Sequence, residues 1–429
     1  MQTGKQPDAS ASMHSKAPKR FVYRLYLAVT WVFMKLIYRV RFIRDKRISS
    51  ERGPYFIVGN HVSYLDPVLC LLSLNRLAVR FVAGEEVVSG KMLRILLAPL
   101  SVIHIKPFRV NYSTTREIIE SIKSGISVAL FPETQRSISG DMTPFGLSTA
   151  KLIKHLRVPV ASAFSRGGYL GWPRWAKIFR PGHIEMETTL LFTKEETEKL
   201  PLHEIQRRLE KALATEDYAW QLNRRHPVRY FSFKPAAGLA KICHWCPVCD
   251  KPLSMESRKR TLRCVNCGQT FRLDASGFFS ASPGSRPVFD HPLEFARWQR
   301  RRLLKAFEEG QEISDRCRLE FHETIGQGIT PPERRSLQGI GRIVKDGLLF
   351  EDDDRGKIFF PLGETPSLYT MIGLYADVLS DKYLWRLYPE SEGFTSLLTD
   401  CARSIWEHRN GSALRAVAEV SSPVSVCTG

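Results

Sequence analysis

The chain has 429 residues and a net charge of +19, and 43% of its residues are hydrophobic against 25% charged. This composition excludes fibrous and intrinsically disordered proteins, and the length exceeds what one hydrophobic core organises, so we expect two or three domains. Residues 1–52 hold 12 Lys and Arg against 3 Asp and Glu. Such a surplus predicts a polyanionic partner, either nucleic acid or an anionic membrane surface.

Residues 1–20 are polar and predict a disordered basic tail without a cleavable signal peptide. Residues 21–52 predict a helix lying in the membrane interface, because basic side chains fall on one face and aromatic and aliphatic ones cover much of the rest. The longest uncharged stretch, 25–34, is about half of what a bilayer span needs. An ordinary packing helix with a basic edge is the alternative. We expect a peripheral or monotopic protein on the cytoplasmic face of a membrane.

Residues 53–230 alternate short apolar runs with amphipathic stretches, a pattern typical of an α/β domain. Strands are predicted at 55–58, 79–83, 102–106, 126–131 and 158–163. A capping box from Thr114 to Glu117 predicts the start of a helix that ends at Gly125. A last helix with a buried stripe from Leu202 to Leu213 is expected to close the domain.

Polar residues follow the first of these strands, where Gly59 precedes Asn60 and His61 and where Asp66 comes five residues after the histidine. If the chain turns helically, His61 and Asp66 lie roughly 7–8 Å apart along the axis. The carboxylate could then fix the imidazole tautomer and leave the other ring nitrogen free as a base. Taken alone, the pattern also fits a turn histidine and a helix N-terminal aspartate.

A second polar segment, Phe131-Pro-Glu-Thr-Gln-Arg-Ser137, follows the strand predicted at 126–131. Arg136 and Ser137 suit a phosphate, because a guanidinium binds two oxygens at once. Glu133 is expected to orient the loop, since a carboxylate alone repels phosphate. Taken alone, Glu133 and Arg136 would suggest a surface ion pair.

Together, the two segments resemble the glycerolipid acyltransferases, and more narrowly the 1-acylglycerol-3-phosphate (lysophosphatidate) acyltransferase type. The family pattern N-H-x-S-x-x-D is matched at 60–66, and F-P-E-G-T-R-S is matched at five of its seven positions in 131–137. The resemblance covers roughly residues 25–215. It implies an acyltransferase domain over 53–230 with a mixed sheet flanked by helices.

The resemblance further implies an O-acyltransferase that moves a fatty acyl group from a thioester, acyl-CoA or acyl carrier protein, to a lysophospholipid hydroxyl. His61 would be the general base and Asp66 would orient it. The substrate-binding residues implied are Asn60, Ser63, Lys106, Arg109, Glu133, Arg136 and Ser137. Acylation of another lysolipid or of an amino-lipid is the alternative reaction.

The chain departs from the family pattern where Thr134 and Gln135 replace the usual Gly-Thr. A β-branched residue limits positive φ and close backbone approach, so we expect a different phosphate geometry or acceptor choice.

Five of the nine cysteines lie between Cys243 and Cys267. Four of them form two CxxC knuckles spaced as in a zinc ribbon over 240–273, and Gly268 permits the tight turn after the second. Four thiolates leave no open coordination position, so a structural zinc ion is predicted, with iron as the minor alternative. The predicted ligands are Cys246, Cys249, Cys264 and Cys267.

The remaining segments are a linker at 274–292, a C-terminal helix and β-rich domain closed by a helix at 293–412, and a tail at 413–429. The strands and final helix faintly resemble the small lipid-reading barrels of the pleckstrin-homology and GRAM type. Basic residues around the knuckles keep open a nucleic-acid-binding or membrane scaffold protein, although nucleic acid is the less expected partner.

Overall fold

The computed structural model describes residues 20–50, 53–74, 77–84, 102–105, 112–215, 217–280, 288–326 and 329–418. The predicted basic tail up to residue 19 and the predicted C-terminal tail from residue 419 lie outside these ranges.

Within the described ranges, seven strands form a mixed sheet in the order β1-β7-β6-β2-β5-β3-β4, in which only the β6–β7 pair is antiparallel. The strands are β1 (Arg41–Arg44), β2 (Phe56–Gly59), β3 (Val79–Gly84), β4 (Ile103–Ile105), β5 (Ser127–Leu130), β6 (Val160–Arg166) and β7 (Glu185–Phe192). The five strands predicted from sequence are confirmed as β2 to β6, whereas β1 and β7 were not predicted.

Helices cover both faces of this sheet, which confirms the predicted α/β class. They are α1 (Arg20–Tyr38), α2 (Arg47–Ser50), α3 (Asp66–Ser73), α4 (Tyr112–Lys123), α5 (Ser148–Leu156), α6 (Gly168–Gly171), α7 (Lys194–Lys199), α8 (Leu202–Leu213) and α9 (Asp217–Leu222). Alternate residues of β2 serve the two faces: Ile57 packs with α1 and α3, and Phe56 and Val58 pack with α4, α5 and α8.

The predicted interfacial helix at 21–52 is too long, because α1 ends at Tyr38 and residues 41–44 form a strand. Arg39 takes a left-handed conformation with φ +44°, and β1 then pairs with β7. The predicted capping box is also wrong. Thr114 lies inside α4, where its hydroxyl donates to the His104 carbonyl over 2.7 Å.

The cysteine-rich segment forms a small antiparallel sheet of four described strands in the order β11-β10-β9-β8, preceded by a short 3₁₀ turn at Leu239–Lys241. Its strands are β8 (Met255–Arg258), β9 (Thr261–Cys264), β10 (Thr270–Leu273) and β11 (Phe279–Ser280). The predicted linker at 274–292 is therefore partly ordered, and only residues 281–287 of it lie outside the described ranges. Phe279 and Phe289 of this segment are buried.

The C-terminal region begins with α10 (Pro292–Glu308), continues as an antiparallel sheet of seven described strands, and ends with α11 (Phe394–Ala418). The strands, in the order β15-β14-β13-β12-β18-β17-β16, are β12 (Ile313–Thr324), β13 (Ser336–Val344), β14 (Gly347–Asp352), β15 (Lys357–Pro361), β16 (Thr370–Met371), β17 (Tyr375–Ser380) and β18 (Tyr383–Pro389). This confirms a β-rich region closed by a helix. The likeness to the pleckstrin-homology and GRAM type stays a prediction.

One hydrophobic cluster joins these regions, although the sequence suggested modules in series. A single buried cluster contains Tyr169 of the α/β domain, Leu262 of the ribbon, Phe295 of α10 and Ile372 of the β-rich domain. The ribbon and the β-rich domain are thus packed against the domain that carries the histidine motif.

Candidate active site

The two sequence motifs meet because β2 and β5 are neighbouring parallel strands. Both strands end at the same edge of the sheet, so the segment after Gly59 and the segment after Leu130 lie side by side. The motifs are some 70 residues apart in sequence, yet the backbone N–H of Ser137 donates to the His61 carbonyl over 2.7 Å.

His61 and Asp66 form the predicted pair. His61 Nδ1 lies 3.0 Å from Asp66 Oδ2, and the same carboxylate oxygen accepts the backbone N–H groups of Val62 and Ser63 at 2.7 Å each. Because Nδ1–H donates to the carboxylate, Nε2 is free to accept a proton. Burial lowers the pKa of His61, an effect that Asp66 partly opposes, so the imidazole is neutral at neutral pH.

The Phe131 ring stacks on one face of the His61 imidazole. The two rings stack with centroids 4.5 Å apart and an interplanar angle of 19°. Gly59 makes room for the Phe131 ring, because a Cβ at position 59 would lie 2.7 Å from it. The His61 side chain keeps 16% exposure, which leaves it reachable from one side.

Glu133 joins the two motifs from inside. Its two carboxylate oxygens accept the backbone N–H groups of His61 and Thr143, each over 2.8 Å. The side chain is buried, and burial raises the pKa of Glu133 to about 8 despite these two hydrogen bonds. Each oxygen accepts one backbone N–H, which is the arrangement expected of a residue that orients the loop; contact between Glu133 and substrate stays a prediction.

Thr134 adopts a positive φ of +64°, although its β-branched side chain disfavours that conformation. The left-handed region costs a non-glycine residue about 1–2 kcal/mol. The turn at Thr134 therefore forms without glycine, because the surrounding loop imposes it. The expected change in phosphate geometry or acceptor choice stays a prediction.

Arg136 is the loop residue best placed to bind an anion. Its guanidinium lies 3.6 Å from the centroid of the Tyr64 ring, and its Nε is buried without a hydrogen-bond partner among the described residues. Burial lowers the pKa of Arg136. A buried cation with an unused donor is stabilised by an incoming anion.

Three other predicted substrate-binding residues have polar atoms engaged within the protein. The Asn60 amide bonds the backbone of Ser165 and the hydroxyl of Thr215, at 2.8 to 3.0 Å. The Ser137 hydroxyl donates to the Asp141 carbonyl over 2.6 Å, and the Ser63 hydroxyl bonds the backbone at 3.3 Å. Their predicted contact with substrate stays a prediction. Lys106 and Arg109 lie outside the described residues.

Sequence reasoning missed Arg174 and Tyr64. Arg174 follows β6 and α6, and it donates to the Arg136 carbonyl over 3.1 Å and to Gln135 Oε1 over 2.5 Å. Burial, and then repulsion from Arg136, lower the pKa of Arg174 to about 9. Neither residue carried a signal, because Tyr64 occupies a variable position of the motif and Arg174 stands outside every motif.

The four predicted cysteine ligands come together at one end of the ribbon. Their Sγ atoms all lie within 4.8 Å of one another, with the Cys246–Cys267 and Cys249–Cys264 pairs at 3.6 and 3.7 Å. Tetrahedral bonds of about 2.3 Å place thiolates about 3.8 Å apart. Gly268 adopts φ +78°, as the predicted knuckle turn requires. The cluster could therefore bind a metal ion.

Comparison with known proteins agrees with this geometry. Residues 39–165 match the model of the Acyltransferase family. Over 144 residues it is 28% identical to a probable 1-acyl-sn-glycerol-3-phosphate acyltransferase of Mycoplasma genitalium, covering 32% of this chain and 52% of the relative. The chain thus spans about half the length of that relative.

The 1-acyl-sn-glycerophosphate (LPA) acyltransferase PlsC of Thermotoga maritima is a similar solved structure. It is 19% identical with a TM-score of 0.38, and the match covers 45% of this chain and 78% of that one.

Proposed function

We propose that the chain transfers a fatty acyl group from a thioester to the hydroxyl of a lysophospholipid. The observation that carries this proposal is the His61–Asp66 pair, which lies beside the anion-attracting Arg136 within an acyltransferase domain. The donor would be acyl-CoA or acyl carrier protein, since both present the same thioester carbonyl.

In this mechanism His61 Nε2 removes the acceptor hydroxyl's proton as the oxygen attacks the thioester carbonyl carbon. A new C–O bond forms, and the tetrahedral intermediate then collapses with cleavage of the C–S bond. The imidazolium returns its proton to the departing sulfur. Asp66 stabilises the imidazolium and fixes the ring, as the aspartate of a Ser-His-Asp triad does.

We propose 1-acylglycerol-3-phosphate as the acceptor. A phosphate monoester beside Arg136 would relieve the repulsion between Arg136 and Arg174 that contributes to the lowered pKa of Arg174. It would also give the buried Nε of Arg136 an acceptor. Lysolipids or amino-lipids without a terminal phosphate would offer less charge to Arg136.

We propose that the protein works on an anionic membrane surface, on its cytoplasmic face. Helix α1 leaves an apolar stripe uncovered, with Leu25, Val29 and Leu36 at 54%, 62% and 76% exposure. Exposed basic side chains lie near this stripe at Arg24 and Arg39. An apolar stripe with a basic border suits a helix lying among lipid headgroups.

Two neighbouring segments extend this surface, one between α6 and β7 and one after α9. Ile178 and Phe233 are 73% and 78% exposed. Phe179 contacts Phe33 of α1, with ring centroids 6.4 Å apart, and the Phe231 N–H donates to the Pro181 carbonyl over 2.8 Å. Within the described part of the chain, no helix has the length and apolar character needed to cross a bilayer.

A row of aromatic rings leads from this surface to the site. From Phe33 it passes through Phe179 and Trp172 to Tyr64, with centroid separations of 6.4, 5.8 and 4.9 Å, and Arg136 lies on Tyr64. An acceptor with a lipid tail and a phosphate could lie along this row, its phosphate at Arg136.

We propose zinc as the ion of the cysteine cluster, because four thiolates at these separations form a closed tetrahedral site. Cys246, Cys249, Cys264 and Cys267 would hold it. It would stabilise the ribbon and leave no coordination position for a substrate.

The activity experiment measures transfer of a labelled acyl group to lysophosphatidate from acyl-CoA and from acyl carrier protein in parallel. Wild type is expected to form diacylated phosphate lipid with at least one donor. His61→Ala should lower the rate by about 10²–10⁴-fold, the usual worth of a general base. His155→Ala, which alters an exposed histidine on α5, is the matched control and should keep full activity. Equal rates for wild type and His61→Ala would exclude the mechanism.

The membrane experiment measures co-sedimentation with vesicles of anionic or zwitterionic phospholipid. The double variant Leu36→Ser/Phe233→Ser is expected to lose binding to anionic vesicles. Tyr112→Ser serves as the control, because Tyr112 is 82% exposed on α4, on the opposite face of the sheet. Unchanged binding of the double variant would contradict the membrane surface.

A further inference from the structure

The β-rich C-terminal domain contacts the acyltransferase loop at Thr370. Arg174 donates to the carbonyl oxygen of Thr370 and, over 3.0 Å, to its hydroxyl. The same guanidinium holds the Arg136 carbonyl and the Gln135 side chain. The partly buried side chain of Arg174 therefore ties the loop of the second motif to strand β16.

Gln135 closes this contact from the other side. Its Oε1 atom accepts from Arg174 and also lies 3.5 Å from the Thr370 backbone N–H, across 235 positions of sequence. Gln135 is one of the two residues at which the chain departs from the acyltransferase pattern. Gln135, which departs from the family pattern, therefore contacts the β-rich domain.

A second contact from the same region lies at the edge of the sheet. A Cβ at Gly84, the last residue of β3, would lie 2.7 Å from the hydroxyl of Tyr369. Since β3 is a parallel neighbour of β5, Tyr369 and Thr370 occupy the sheet edge at which the two motifs meet.

The far end of the loop is also held by the C-terminal region. Asp141 Oδ2 pairs with Arg300 of α10 over 2.8 Å and with Arg403 of α11 over 3.2 Å. The loop that carries Arg136 is therefore fixed at Gln135 by β16 and at Asp141 by two helices. Both anchors come from regions to which the acyltransferase resemblance does not extend.

We propose that the C-terminal β-rich domain is a positioning element of the acyltransferase site, acting through Arg174 and Thr370 on the loop that places Arg136. The effect on substrate rests on the proposed function, because Arg136 is taken to bind the acceptor phosphate. Arg174 is a positioning residue: its hydrogen bonds go to the loop and to β16, and they hold Arg136 beside His61.

The test compares Thr370→Arg with Met371→Arg in the full chain. Both variants add one cation to β16. Thr370 is only 8% exposed and contacts Arg174, whereas Met371 is 53% exposed. Thr370→Arg should repel Arg174 and release the loop, and Met371→Arg should leave it in place. Arg174→Met, which keeps the aliphatic stem and removes every donor, should act like Thr370→Arg. Thermal melting checks that each variant is folded.

Two readouts are measured. The first is hydrogen exchange of the backbone amides at 133–137, where the Ser137 N–H bonds His61; exchange should quicken at least tenfold in Thr370→Arg and Arg174→Met. The second is steady-state kinetics, where KM for lysophosphatidate should rise about tenfold while KM for the thioester stays within twofold. A general loss of structure would not raise the KM for lysophosphatidate while leaving the KM for the thioester unchanged.

Exchange at 133–137 that is the same in Thr370→Arg and Met371→Arg would overturn the proposal, whether or not the enzyme is active. An unchanged acceptor KM in an active Thr370→Arg variant would also overturn it. If wild type transfers no acyl group, the proposed function fails separately, and the exchange comparison still decides whether β16 holds the loop.

Discussion

His61 combines two opposing influences that suit a general base. Burial lowers the pKa of the imidazole, and the Asp66 carboxylate raises it. The net result is a pKa below the ordinary 6.5, so the ring is neutral and able to accept a proton at neutral pH. The exposed side of the ring is where a hydroxyl can approach, since Phe131 covers one face.

The pH dependence of kcat/KM should reflect this shift. A base acts when deprotonated, so activity should rise with pH, and the midpoint of this rise should lie below the ordinary histidine pKa of 6.5. Asp66→Asn removes the carboxylate that raises the pKa, so its rising limb should move to lower pH. Its plateau should fall by up to about 10⁴-fold, because the tautomer is no longer fixed. A midpoint above pH 6.5 in wild type would contradict the lowered pKa of His61.

Thr134 shows what one residue type can and cannot predict. The sequence suggested that a β-branched residue would limit positive φ, yet the structure has φ +64° there. Glu133 on one side is bonded to the His61 backbone, and Gln135 on the other is bonded to Arg174. These fixed neighbours over-determine the turn, so the local preference yields to them.

In the ribbon, the four cysteines of the cluster specify much of the structure. Its strands are two or four residues long. Cys246 and Cys264 are buried and belong to the hydrophobic cluster that also contains Tyr169 of the α/β domain. A metal ion at the cysteines would therefore stabilise the ribbon and, through that hydrophobic cluster, the domain beside it.

Metal removal should show this coupling. Purified protein is expected to contain one zinc ion per chain, and Cys264→Ser should lose it and melt at a lower temperature. Cys243→Ser is the matched control, because Cys243 is equally buried but is not one of the four cysteines of the cluster. Equal zinc content in the two variants, measured by atomic absorption, would refute the assigned ligand set.

The molecule as a whole is joined by a buried group of charges. Burial raises the pKa of Asp141, but Arg300 and Arg403 outweigh burial and hold that pKa below its usual range. Asp400 also faces Arg300, at 3.6 Å. These residues belong to a motif loop, to α10 and to α11, so their pairing fixes how the domains sit against each other.

Removing the central carboxylate should therefore destabilise the whole chain. Asp141→Asn removes the negative charge that pairs with the poorly exposed guanidinium groups of Arg300 and Arg403. We expect this loss to lower the free energy of unfolding by about 3–5 kcal/mol. Asp353→Asn is the control, since the Asp353–Arg316 pair is about half exposed and should contribute less than about 1 kcal/mol. Denaturant unfolding measures both, and similar losses for the two variants would refute the structural importance of Asp141.

The sequence by itself determined the chemistry-bearing residues whose signal is local. His61 and Asp66 stand five apart beside a strand, the four cysteines stand at knuckle spacing, and the five strands β2 to β6 are apolar runs bounded by turns. Each depends on near neighbours and on backbone periodicity, which sequence spacing reports directly.

Only the tertiary structure decided which side chains meet across the chain. β2 and β5 were recognisable separately, but their pairing places Glu133 against the His61 backbone and so gives that carboxylate a positioning role. Arg174 and Thr370, some 200 residues apart, meet because the β-rich domain packs on the edge of the first sheet. Such contacts depend on shared burial and on matched surfaces, neither of which has a period or a spacing in the sequence.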